Sequence, residues 1–178
     1  MGGRDVGRRV LVGLTVLILL AGCSSSASPT PAAGGAVASA SPAPYYDAKA
    51  NPQANIDAAV AAAKADGRRV LIDFGADWSN DCRALAADFA SPEVKPFLDA
   101  NFHVVPVYIG HWDRNMAVED KYGARSGFMP RIVILDGSGV ALYKSNAIEN
   151  ASTMSVADVM RYLQKWAPSP PRTPAGGG

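Results

Sequence analysis

The chain has 178 residues, 48% of them apolar, with 17 basic and 16 acidic side chains and a formal charge of +1. Once polar ends are set aside, that is material for one domain of ordinary size. Arg4, Asp5, Arg8 and Arg9 sit at the extreme N-terminus, so the remainder is near neutral with no basic block, and no nucleic-acid partner is expected.

After those arginines an apolar run extends from Val10 to Leu20, broken only by Gly13 and Thr15, and leads through Ala21-Gly22 to Cys23. A spanning helix needs roughly 20 apolar residues, so the run has the length of an export-signal core rather than of a membrane span. Leu20-Ala21-Gly22-Cys23 resembles the bacterial lipobox. The resemblance implies cleavage before Cys23 and lipidation of its thiol, with residues 1–22 as signal peptide and the product held on the extracytoplasmic face of the cell membrane. An ordinary secretory signal with a chance cysteine, or an uncleaved anchor, are the alternatives.

From Ser24 to Pro44 the residues are almost all Ser, Ala, Pro, Gly and Thr, a composition that cannot bury enough apolar surface to fold and reads as a flexible tether behind Cys23. The stretch 168–178, with four prolines and a closing Gly-Gly-Gly, reads as an unstructured tail.

Between these ends helical and strand patterns alternate. Asn51 to Asp66 is alanine-rich, opens with Asn51-Pro52 as cap and first turn, and stops at Gly67, so it predicts a helix. Val70 to Phe74 is a short apolar run interrupted by Asp73, the pattern of a buried strand. A helix is expected from about Ser79 to Ala90, and Ser91-Pro92 should restart a shorter one through Leu98. Phe102 to Ile109 is a second strand candidate, in which Pro106 is easiest to place at a bulge or beside an unpaired stretch. Met116 to Tyr122 reads as a short helix ending at Gly123. Arg131 to Leu135, the turn Asp136-Gly137-Ser138-Gly139, and Val140 to Lys144 predict a hairpin. Ser155 with Asp158 three residues on forms a capping box for a last helix to Trp166, with Val156, Val159, Met160, Leu163 and Trp166 along one face. This order predicts an α/β fold, a central mixed sheet with helices on both sides.

The junction Val70-Leu71-Ile72-Asp73-Phe74-Gly75-Ala76-Asp77-Trp78-Ser79-Asn80-Asp81-Cys82-Arg83 resembles the thioredoxin superfamily, in which an apolar strand with Asp-Phe leads through Ala-x-Trp into Cys-x-x-Cys and a basic residue. Gly127-Phe128-Met129-Pro130, directly before Arg131-Ile132-Val133-Ile134-Leu135, looks like the family's cis-proline loop. Asp113-Arg114-Asn115 matches a segment of bacterial thioredoxin-like proteins. Together these matches imply a thioredoxin-like domain over residues 45–167.

The family's chemistry needs a thiolate at the exposed start of a helix, where free backbone N–H groups lower the thiol pKa from its usual ~8.5. Here that position is Ser79, which cannot form a disulfide and reads as a helix N-cap. Cys82 matches the resolving cysteine and, with Cys23 lipidated, would be the one free thiol; it is either an inert buried residue or a thiol that forms mixed disulfides. Asp73 matches the carboxylate that assists proton transfer, and burial should raise its pKa; the alternative is a polar residue satisfied by local hydrogen bonds. Cys82, Ser79 and Asp73 are thus the catalytic candidates by family position. Pro130 should be cis, leaving the Met129 backbone free to pair with an extended peptide beside Trp78; Trp78 and Trp112 either form the apolar rim of that surface or are ordinary part-buried aromatics.

No cofactor or metal is implied. His103 falls within a strand and His111 in a loop, so Cys82 with His111 and nearby aspartates is a weak alternative for a metal site. Three readings follow: a membrane-tethered protein- or peptide-binding module without dithiol exchange, a monothiol redox enzyme or thiol-trapping factor acting through Cys82, and a disulfide-linked homodimer through Cys82. Exposure of Cys82 separates the first from the others.

Overall fold

The computed structural model describes residues 44–124, 127–145, 148 and 150–172. The signal segment 1–22, Cys23, the linker up to residue 43 and the tail beyond Arg172 lie outside the described residues.

Helix α1 (Pro52–Asp66) begins where Asn51 accepts a hydrogen bond from the Ala54 N–H at 3.1 Å, with Pro52 filling a first-turn position that has no N–H to lose. It ends at Gly67, whose φ of 74° is the left-handed cap for which glycine is best suited. Strand β1 (Arg69–Gly75) is buried from Val70 onward, as a strand covered on both faces must be. It pairs in parallel with β2 (Phe102–Tyr108) and antiparallel with β3 (Arg131–Leu135), which pairs antiparallel with β4 (Ala141–Ser145). The spatial order is β2-β1-β3-β4, a mixed sheet.

Alternation along β1 sends Val70, Ile72 and Phe74 to one layer with Ile56 and Ala63 of α1, Val105, Val107 and Val133. Leu71 goes to the other layer, with Ile132, Ile134 and residues from three helices, α2 (Asn80–Ala90), α3 (Lys95–Asn101) and α5 (Val156–Trp166). The capping box of α5 is present, Ser155 and Asp158 each accepting from the other's backbone N–H. A short helix α4 (Met116–Lys121) and a 3-10 turn at Ala151–Thr153 complete the described elements, none of which is long and apolar enough to cross a membrane.

Three expectations need adjustment. Pro106 is not at a bulge: it is in register with Asp73 on one side, and is tolerated because β2 is an edge strand with no partner strand on its other side among the described residues. The helix expected from Ser91-Pro92 starts at Lys95 instead. Ser91 Oγ accepts from the Val94 N–H at 3.2 Å, closing a turn, and Pro96 can stand only in a first helical turn, which sets the start there. The tail boundary at Pro168 falls too early. The Arg172 N–H donates to Asn101 Oδ1 at 2.7 Å, Asn101 Nδ2 donates to the Arg172 carbonyl at 3.0 Å, and the Arg172 guanidinium reaches the Asp66 carbonyl. The chain is therefore tied back onto the domain at Arg172.

Candidate functional site

Parallel pairing of β1 with β2 and antiparallel pairing of β1 with β3 bring three connections to one end of the sheet: residues 76–79 after β1, 109–115 after β2, and 127–130 before β3. In register terms Gly75 faces Tyr108, and Phe74 faces Arg131. Ser79, Cys82, Trp78, Met129 and Pro130 thus gather from distant stretches of sequence. His103, at the start of β2, lies toward the opposite end and pairs through Nε2 with Asp66 at 2.9 Å.

Ser79 is the N-cap of α2. Its backbone is extended (φ −77°, ψ 129°), and its Oγ accepts from the Cys82 N–H at 3.3 Å. The hydroxyl therefore occupies an N–H group that would otherwise stabilise an anion at the helix start. Asp81 accepts from the Ser152 N–H at 2.9 Å and its hydroxyl at 2.6 Å, and Arg83 donates to the Asp77 carbonyl at 2.6 Å. These charged residues fix the helix start rather than offering paired acid and base.

Cys82 is wholly buried one turn further in. Burial pushes its thiol pKa up, and the charge of Asp73 adds to that, outweighing the stabilising contacts of Ser79, the Ala76 backbone and Tyr46. Asp73 is also fully buried, and desolvation raises its pKa from 3.8 to about 7 against the opposing hydroxyl contacts. Its Oδ2 accepts from the Tyr46 hydroxyl at 2.9 Å. Oδ1 has no aligned hydrogen-bond partner, although the Tyr45 hydroxyl also helps lower the pKa.

Tyr45 and Tyr46, packed edge to face at 4.8 Å, went unnoticed in the sequence. Their one signal is position: they are the first aromatic residues after the Ser/Ala/Pro-rich stretch. Gly75 makes room for this group. A Cβ there would lie 2.5 Å from the Tyr46 hydroxyl oxygen and 2.7 Å from Cys82 Sγ, so both atoms crowd the same glycine.

Outside this core, Trp78 is 47% exposed; its Nε1 donates to the Gly110 carbonyl at 2.9 Å, and its ring stacks on His111 at 4.9 Å. The Asp-Arg-Asn segment builds the loop beneath. Asp113 accepts from the His111 N–H at 2.8 Å, and Asn115, at φ 53°, donates to the Tyr108 carbonyl at 2.8 Å. Trp112 is half-buried against the core, the ordinary partial burial that stood as the alternative to an apolar rim, and the ring stacked on Trp78 is that of His111. The Met129–Pro130 peptide is cis, with both side chains buried. The exposed ring of that loop is Phe128, at 58%, a residue not singled out in the sequence. Below it, Arg131 and Glu119 form a buried ion pair at 3.9 Å between β3 and α4. Among the described residues no three His, Cys, Asp or Glu side chains converge on a metal position, and Cys82, His111 and the aspartates do not form one.

The raised pKa of Asp73 makes a prediction with a definite sign. Between about pH 4 and pH 7 the folded state holds a proton that the unfolded chain has released, so stability falls as pH rises through that window and levels off above it. Asp73→Asn should flatten the profile and raise stability at pH 8 relative to the parent by on the order of a few kcal/mol, read from urea unfolding at pH 5 and pH 8.

Comparison with known proteins agrees with this geometry. A family model described as thioredoxin-like matches residues 51–137. A disulphide isomerase from Xylella fastidiosa Temecula1 is similar over 70% of this chain and 98% of its own, at 27% identity and a TM-score of 0.68. The C-terminal domain of Neisseria meningitidis DsbD, in its oxidised form, shares the fold over 66% of this chain and 97% of its own, at 19% identity and a TM-score of 0.51. No curated protein sequence matches the chain. With the mixed sheet, the helix starting behind Trp78 and the loop before β3 all in place, the fold of this chain is that of the thioredoxin superfamily.

Proposed function

We propose that this chain is a lipid-anchored, extracytoplasmic member of its family that binds an extended protein or peptide segment and does not carry out dithiol–disulfide exchange. The binding surface is the rim formed by Trp78, Ser79 and the loop of Phe128, Met129 and Pro130. Three observations together carry the reading: the position that needs a nucleophilic thiol holds Ser79, Cys82 beneath it is buried, and rings stay exposed on the two flanking connections.

Exchange needs two thiols in sequence. The first attacks a substrate disulfide and the second attacks the resulting mixed disulfide. Ser79 offers an alcohol in place of the first, and an alcohol does not form the mixed disulfide. The monothiol and disulfide-linked dimer readings both need a reachable, ionisable Cys82, and its burial and raised pKa argue against them. Binding needs none of this. Exposed aromatic rings beside backbone are suited to holding an extended chain, since rings supply contact area at low entropic cost. The similar Xylella protein, named a disulphide isomerase, is consistent with a protein partner. The anchor rests on Leu20-Ala21-Gly22-Cys23 and the signal-like run before it.

Reduced, carboxymethylated insulin B chain is a suitable probe, being extended and free of thiols. It should bind, with a change in Trp fluorescence, and Trp78→Ala and Phe128→Ala should each weaken binding by about tenfold, the size of a typical hot-spot truncation. Binding that ignores both substitutions, or dithiol-driven reduction of intact insulin by the natural chain, would remove the reading. Separately, Cys23→Ala should move the protein from the membrane to the soluble fraction in a bacterial host; unchanged membrane retention would rule out the lipid anchor.

A further inference from the structure

The connection from β2 to α4, residues 109–115, passes through three residues of left-handed backbone: Gly110 at φ 60°, Trp112 at φ 67° and Asn115 at φ 53°. For a side chain as large as that of Trp112 this conformation is uncommon, and it persists only where the surroundings over-determine it. Here the Ile109 N–H donates to the Gly75 carbonyl at 3.0 Å, which fastens the loop to β1. The Ile109 carbonyl accepts from the Trp112, Asp113 and Arg114 N–H groups at 3.1, 3.3 and 3.3 Å. Asp113 Oδ1 accepts from the His111 N–H at 2.8 Å and stands so near Gly110 that a Cβ there would lie 2.1 Å from it.

What this loop sets is one ring. It packs Trp112 against the core and leaves His111 exposed, with the imidazole stacked on Trp78 at an interplanar angle of 8°, and it presents the Gly110 carbonyl to the Trp78 Nε1–H at 2.9 Å. A contact on the face and another at the edge together hold the orientation of the indole. Its one N–H is taken by Gly110, so the exposed part of Trp78 has no donor left for a ligand and offers hydrocarbon. Charged side chains beside it are engaged within the chain as well: Asp81 with Ser152, Arg83 with the Asp77 carbonyl and Asn80, and Asp113 with the His111 N–H. We propose that His111 is a positioning residue for the binding rim, acting through Trp78, and that the rim so fixed seats a large apolar side chain of the bound segment in preference to a polar or charged one. A ring held in advance loses less freedom on binding, and an indole face without a free donor gains from apolar contact alone. The choice of occupant rests on the binding function proposed above; the bracing of Trp78 does not.

The test reads the two parts separately. In the 15N-labelled full chain the Trp78 indole N–H resonance is identified by its loss in Trp78→Phe, and its exchange with solvent is then followed. His111→Ala should speed that exchange several-fold, and His111→Phe, which keeps a ring to stack, should restore the protection. Binding of reduced, carboxymethylated insulin B chain should weaken by about three- to tenfold in His111→Ala, the worth of an aromatic ring pair, and stay within about twofold of the parent in His111→Phe. Both variants keep the backbone N–H that Asp113 accepts from, so a role confined to the fold of the loop would spare both. For the occupant, overlapping B-chain peptides are arrayed with each residue replaced in turn by serine and by aspartate, and loss of parent-chain binding should fall on the large apolar residues. The proposal is overturned if His111→Ala leaves exchange and binding unchanged, if His111→Phe behaves like His111→Ala, or if aspartate in place of the apolar residues leaves binding intact or strengthens it. Failure of the B chain to bind the parent at all would remove the binding function and the choice of occupant with it, while the exchange rates still decide whether His111 braces Trp78.

Discussion

A carboxyl group buried in an apolar sheet is the constraint on which this site depends. Asp73 sits in the central strand with a pKa near 7, and desolvation of its charge is offset only in part by the Tyr46 hydroxyl. That hydroxyl can be there only because Gly75 carries no side chain and because residues 44–50 turn back over the sheet. Cys82, itself buried, crowds the same glycine as Tyr46. The identity of a glycine, the path of residues 44–50 and the burial of a thiol thus meet at one buried polar contact.

The helix start expresses the same logic at the surface. Free N–H groups at the head of α2 favour negative charge, which is what a nucleophilic thiolate would use. Ser79 meets one of them with a neutral oxygen, which stabilises the helix start. Trp78, braced by the Gly110 carbonyl and stacked on His111, keeps its place beside this cap.

Much of this was legible in the chain because it is encoded locally. Asn51-Pro52 and Gly67 bracket α1, Ser155 and Asp158 start α5, and Ser79 caps α2, each through contacts within four residues. The cis bond at Pro130 and the gathering of Trp78 with Met129 came from the family resemblance rather than from any local pattern. What escaped notice is long-range. Tyr46 meets Asp73 across 27 positions and Arg172 meets Asn101 across 71, and no periodicity marks either. Phe128 escaped for a related reason: its neighbours Met129 and Pro130 drew attention by motif, whereas exposure is decided by which way the loop turns.

If a complete thioredoxin-type site has been disarmed at a single position, restoring one sulfur should rearm it. Ser79→Cys tests this most directly, by the turbidity of insulin reduced with dithiothreitol, beside the parent chain and with Cys82 alkylation after denaturation as a check on disulfide formation. The variant is expected to close a disulfide between the introduced cysteine and Cys82 and to accelerate insulin reduction, while the parent does not. A folded variant that forms no such disulfide and gives no acceleration would contradict a site disarmed at one position, as would a parent chain that already reduces insulin.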